Sequence, residues 1–236
     1  MITYWTYNNG LVESETIRKN CWVSVIKPTP EETDYLIEKL NVSPDVINDI
    51  LDVDERARYE TDERWVTVIL RIPLRNLENG LPFYTVPFGI LISDSMIITI
   101  CSAENDVIHS IVANRMVDFK DRSNFVMHIF MKTANLFHSY LKQINIQVAA
   151  IENDLLKSTR NKELHQMLKM EKCLVYFITS LKSDEILLAR LKSLKISIIG
   201  EFDEDLMDNV IIEFKQAMEM ANIYSDIQSG MMDAFA

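Results

Sequence analysis

Beyond Gly89 the sequence is nearly empty of residues that stop a helix. All six prolines fall between Pro28 and Pro87, and the only later glycines are Gly200 and Gly230. A turn-rich beginning and an almost uninterrupted remainder read as an α/β domain followed by long helices. Cysteine is equally sparse. Cys21, Cys101 and Cys173 lie far apart and form no CxxC pair, and their odd number suits a reducing compartment better than a disulfide framework. The start, MITYWTYNNG, lacks the basic and apolar regions of a signal peptide. No run of about 18 apolar residues occurs, so nothing here reads as a membrane span. The best candidate, GILISDSMIITIC, is interrupted by Asp94 and reads as a hairpin.

Catalytic signatures are also missing. Neither GxGxxG nor GxxxxGK[ST] occurs, and there is no nucleophile elbow. His109, His128, His138 and His165 sit on helical patterns without metal-ligand spacing. The expectation is therefore a protein that is not an enzyme. Positive charge is in short supply: 24 Lys and Arg against 35 Asp and Glu leave a net charge of −11. That balance argues against a nucleic-acid partner and against docking on anionic lipid, and it suits the binding of cations. Carboxylates are hard oxygen ligands, matched to Mg²⁺ and Ca²⁺. With 48% apolar residues the chain is globular.

The patterns that are present divide the chain. CWVSVI reads as a strand. TPEETDYLIEKL reads as a helix, with Thr29, Pro30 and Glu32 forming a capping box. SPDVINDIL repeats the device with Ser43 and Pro44. WVTVILRI, VPFGILIS and SMIITIC read as strands and DVIHSIVANRMVDF as a helix, giving a mixed sheet flanked by helices. Heptads follow. Phe130, Ala134, Phe137, Leu141, Ile144, Val148, Ile151 and Leu155 are spaced alternately by four and three. After a break near 158–161, Met167, Met170, Leu174, Phe177, Leu181, Leu188 and Leu191 keep the rule, with Asp184 as the one polar interruption. These predict two long antiparallel helices. A third helix begins near Asp203, with the seam Met207, Val210, Phe214, Ala217, Ala221, Tyr224, Gln228 and Met231. Such a seam wants a partner, either helices of the same chain or those of another copy. Charge follows these divisions: residues 123–200 carry 11 basic and 6 acidic residues, residues 201–236 one and nine.

Two stretches carry a resemblance. PDVINDILDVDERARYE followed by WVTVILRIP resembles the cytosolic domain of CorA-family divalent-cation transporters, and DEDLMDNVIIEFKQAMEMANIYSDIQSGMMDAFA resembles the stalk helix that leads to their first membrane span. The resemblance implies an α+β fold: an α/β/α sandwich with a mixed sheet at 1–122, a long helical hairpin at 123–200, and a stalk helix at 201–236. The last residues, YSDIQSGMMDAFA, show no helix stop, and on this resemblance the helix is expected to continue into a membrane segment beyond Ala236. Gly230-Met231-Met232 is not the family's Gly-Met-Asn signature, which lies past the first span. The implied function is Mg²⁺ sensing for a magnesium transporter, with Co²⁺ or Ni²⁺ as other ions. The implied assembly is a homopentamer anchored in the cell's inner or plasma membrane, its sensor facing the cytoplasm. Divalent cations at the subunit interfaces would favour the closed state.

By family position Asp49 is an interface metal carboxylate, with Asn48 beside it where a second acidic residue is common. Asn209 takes the partner position on the stalk, usually Asp, with Asp208 next to it. Asp233 matches an acidic ring at the pore mouth. The alternatives are a helix-end pairing of Asp49 with Arg56 or Arg58, and an ordinary exposed stalk residue for Asp233. Two other functions stay open: a zinc transporter of the same fold, and a helical scaffold with no transport role.

Overall fold

The computed structural model describes residues 1–76, 80–115, 117–157, 161–194 and 196–235. Seven strands form one mixed sheet: β1 (Ile2–Tyr7), β2 (Leu11–Ser14), β3 (Cys21–Ile26), β4 (Arg58–Thr61), β5 (Val66–Arg75), β6 (Phe83–Ile92) and β7 (Met96–Cys101), in spatial order β2-β1-β3-β7-β6-β5-β4. β3 and β7 run parallel and the other neighbours antiparallel. The anticipated strands are all present. β1, β2 and β4, which carry no strong alternation, extend the sheet at its two edges.

One side of the sheet is covered by α1 (Pro30–Leu40) and α2 (Pro44–Leu51). α1 has the expected capping box: Thr29 accepts from Glu32 N–H, and the Glu32 carboxylate accepts from Thr29 N–H. It ends at Asn41 in the left-handed conformation. Ser43, by contrast, makes no side-chain cap for α2. Burial holds that helix, through Val46, Ile47 and Ile50. Ile50 packs so closely on β6 that a Cβ at Gly89 would lie 2.3 Å from its Cδ1, so only glycine fits beneath it.

α3 (Asp106–Ala113), capped by Asn105, is shorter than the periodicity suggested and ends at Asn114. Three long helices follow: α4 (Arg122–Lys157), α5 (Asn161–Ser193) and α6 (Glu204–Phe235). The anticipated break falls in residues 158–160, outside those described, and at Asn161, where α5 begins. The α4 and α5 heptad positions are buried, and with the sheet's second face they form one continuous apolar cluster. The α6 seam joins it. Met207, Val210, Phe214, Ala217, Ala221 and Gln228 are buried, with Phe214 against Phe130 and Phe137 of α4. The seam's partner is thus the chain's own pair of helices. No helix among the described residues is long and apolar enough to cross a membrane.

Candidate functional site

Asp49 sits in the last turn of α2, half-buried, with its side chain 41% exposed. Its Oδ2 accepts from Arg58 Nη2 at 2.6 Å. The same guanidinium donates from Nε to Glu55 Oε1 at 2.9 Å and from Nη1 to Glu60 Oε2. Three carboxylates therefore converge on one cation. Burial works against the Arg58 charge, but its bonds to Glu55 and Glu60 outweigh that and raise its pKa. Of the two arginines open for Asp49, the structure selects Arg58. Asn48 is exposed beside it.

Asp208 and Asn209 are both exposed near the start of α6. Asp208 Oδ1 pairs with Lys192 Nζ of α5. No bond joins either residue to Asp49: α2 packs into the core on one side of the sheet, and α6 into the cluster on the other. Asp233 is exposed near the end of α6. No group of three or more His, Cys, Asp or Glu among the described residues could hold a metal ion. One chain therefore contributes separate carboxylates and amides, and any site using both Asp49 and Asp208 must be completed by a second copy. All four are oxygen donors near solvent, which fits Mg²⁺ chemistry.

In the sequence Asp184 shows only as a polar interruption of a heptad. It is fully buried, and its Oδ1 accepts from the backbone N–H of Arg71 at 2.8 Å. β4 pairs only with residues 66–69, which leaves that N–H on an open strand edge. Asp184 therefore caps the edge from α5. The Arg71 guanidinium spends its donors on neutral oxygens: Ser180 Oγ, Thr85 O and Oγ1, and the carbonyls of Val53 and Glu55. Ala57 N–H donates to Ser183 Oγ at 2.9 Å. The link from α2 to β4, which leads from Asp49 to Arg58, is thereby tied to α5. Burial lowers the Arg71 pKa, partly offset by the Asp184 charge, and burial raises the Asp184 pKa well above its usual 3.8.

His138 Nε2 lies 3.1 Å from both the carbonyl and the carboxylate of Glu213, joining α4 to α6, and His109 is exposed beside Glu104 and Asp106. All three cysteines are buried and free, and burial pushes the Cys101 and Cys173 thiols up to about 11. Thiols so rarely ionised make poor nucleophiles.

A family model described as CorA-like Mg²⁺ transporter protein matches residues 18–236. The cobalt/magnesium transport protein CorA of Methanocaldococcus jannaschii is 25% identical over 218 residues, covering 90% of this chain and 68% of that protein. The solved soluble domain of CorA from the same organism shares the fold with a TM-score of 0.85 at 23% identity, covering 99% of this chain and 95% of its own. The ZntB cytoplasmic domain from Vibrio parahaemolyticus shares it with a TM-score of 0.76 at 15% identity, over 99% and 95% of the two chains.

Proposed function

The chain belongs to the family of CorA-like Mg²⁺ transporter proteins, and from that premise we propose that it is the cytoplasmic Mg²⁺-sensing part of a magnesium transporter in the cell's inner or plasma membrane. The observation that carries this reading is the nearly end-to-end family match. Residues 1–122 supply the sheet domain, 123–200 the hairpin and 201–236 the stalk, in a homopentamer. Mg²⁺, or Co²⁺ or Ni²⁺, bridges Asp49 and Asn48 of one copy to Asp208 and Asn209 of the next. A bound ion favours the closed arrangement. When the internal ion falls, the carboxylates lose their counter-ion and the copies move apart, because the ligand binds one of two states preferentially. Asp233 forms an acidic ring near the pore mouth. The chain has no enzymatic role.

This chain already holds a cation against each carboxylate: Arg58 on Asp49 and Lys192 on Asp208. A divalent ion must displace or share them, and Asn48 and Asn209 offer neutral oxygens where carboxylates would pull harder. The site is therefore weak. A zinc transporter of the same fold is the second reading, supported by the likeness to the ZntB domain. The all-oxygen donor set favours Mg²⁺ over zinc. Limited proteolysis with and without Mg²⁺ tests the proposal. Mg²⁺ should protect the wild-type chain and protect Asp49→Ala much less. Equal protection of the two would remove Asp49 from the site, and stronger protection by Zn²⁺ than by Mg²⁺ would favour the second reading.

A further inference from the structure

α5 and α6 each bury one stripe in the chain's own core and leave a second stripe outside. On α5 the outer positions 168, 172, 175, 179, 182 and 186 keep the spacing of four and three. They include Leu168, Val175 and Ile186, all at least 40% exposed, and the exposed Lys172 and Lys182. Among the described residues of α5, Glu163, Glu171 and Glu185 are half-buried and Asp184 is buried. On α6 the outer positions 212, 216, 219, 223, 226 and 230 keep the same spacing. They carry Ile212, Ile223, Glu219 and Asp226, with Ile227 beside them, all exposed. One stripe is apolar and basic, the other apolar and acidic.

The heights of the two stripes also agree. Lys192 pairs with Asp208, and Gln228 Nε2 donates to Met167 O, which fixes α6 antiparallel along α5. Counting inward from these two contacts, Ile186 lies level with Ile212, Val175 with Ile223, and Lys172 with Asp226, within about one helical turn of 5.4 Å. The inner stripes, paired in the same register, already fix these levels; what they do not fix is that apolar residues stand level with apolar ones and Lys172 with Asp226, because those exposed side chains lie outside the inner seam. A contact between two different faces generates a ring where the rotation closes, and a closed ring has no translation along its axis. A neighbour's α6 then meets α5 at the height of the chain's own α6, apolar against apolar and Lys172 against Asp226.

We propose that the outer face of α5 docks the outer face of α6 from a second copy of this chain. The inference rests on the reading that the chain assembles as a ring, and it names the surface on each side. It also accounts for how the divalent site is completed. Ala57 bonds Ser183, one turn from Ile186, so the link carrying Arg58 lies against α5. The docked α6 brings its Asp208 and Asn209 toward that end of α5, and so toward Asp49.

Sedimentation velocity of the 236-residue chain, at one Mg²⁺ concentration and one ionic strength, tests this by charge exchange. Lys172→Glu with Lys182→Glu should weaken self-association about tenfold, and Glu219→Lys with Asp226→Lys should do the same, since two exposed pairs turn from attraction to repulsion. All four together should restore it to within about threefold, with thermal unfolding unchanged throughout. A second measurement reads the contact directly: Val175→Cys with Ile223→Cys should form an intermolecular disulfide that neither single variant forms. If each charge pair weakens assembly but the four do not restore it, or if Ile223→Cys links to itself, the α5–α6 docking is wrong while assembly stands. If neither pair weakens assembly, the docking is equally wrong. If the wild-type chain stays a monomer at every Mg²⁺ concentration, the ring reading falls and this inference with it.

Discussion

The two faces of α6 belong to one helix and answer to different partners. The inner face, with Met207, Val210, Phe214, Ala217 and Ala221, is buried against α4 and α5. Its partners come with the chain, at any ion concentration. The outer face exposes Ile212, Ile223 and Ile227 among Asp205, Asp208, Glu219 and Asp226. Its apolar residues invite another surface and its carboxylates repel a like one. Each like-charged pair at about 8 Å costs roughly 0.5 to 2 kcal/mol, reduced by a Debye length of about 8 Å at physiological salt. The inner face therefore sets the fold, and the outer face favours a basic surface of a second copy over a face like itself.

The comparison breaks most visibly at Phe214. Phe214→Ala removes a ring fully buried between Phe130 and Phe137 and should cost about 4 kcal/mol in a denaturant titration. The loss should be the same with and without Mg²⁺. A strong Mg²⁺ dependence would mean that the inner face also belongs to the assembly.

That distinction shows where the sequence was legible. The heptads of α4 and α5 and the inner seam of α6 could be read because a buried helical stripe repeats every three or four residues. The same pattern could not say whose helices the α6 seam meets, since periodicity reports burial without naming the partner. It suggested a seam that another copy could fill, and the chain's own α4 and α5 fill it. Thr29 and Glu32 announced α1 because a cap is local chemistry. Ser43 shared the spelling, yet α2 is held by Ile47 and Ile50 without a side-chain cap. The α3 pattern ran on through apolar residues past Asn114, where the helix ends. The pairing of Asp184 with Arg71 spans 113 residues and left only a polar letter in a heptad. Asp49, Asn48, Asp208, Asn209 and Asp233 came from family resemblance, and a single chain does not assemble them.

Asp184 gives the next largest effect. Asp184→Ala leaves a buried strand-edge N–H unpaired beside a buried guanidinium and should cost about 2 kcal/mol. Its titration has a definite sign. The folded-state pKa lies well above 3.8, so the folded state holds the proton more tightly than the unfolded one. The associated stability is fully present below about 4 and is lost as pH rises toward the folded pKa. Asp184→Asn should therefore gain on the wild type as pH is raised from 4, by chemical denaturation at each pH. A constant difference between the two would mean that the buried carboxyl does not titrate in that range.

On the outer face, Ile223→Ser should change the stability of the single chain by no more than about 0.5 kcal/mol, while weakening self-association measured by sedimentation. A large loss of chain stability would place Ile223 in the inner core. The smallest effect is at Arg58. Arg58→Gln frees Asp49, Glu55 and Glu60 of their shared cation, and the Mg²⁺ midpoint for protection from proteolysis should fall severalfold. An unchanged midpoint would mean that Arg58 and the ion do not compete.

Assembly should depend on a divalent ion between Asp49 of one copy and Asp208 of the next. Light scattering of the chain across a Mg²⁺ titration, with ionic strength held fixed by a monovalent salt, tests it most directly. Monomers or small oligomers are expected in chelator, with a rise in mass toward a ring as Mg²⁺ increases. A mass that does not respond to Mg²⁺, whether the chain is monomeric throughout or fully assembled in chelator, would contradict it.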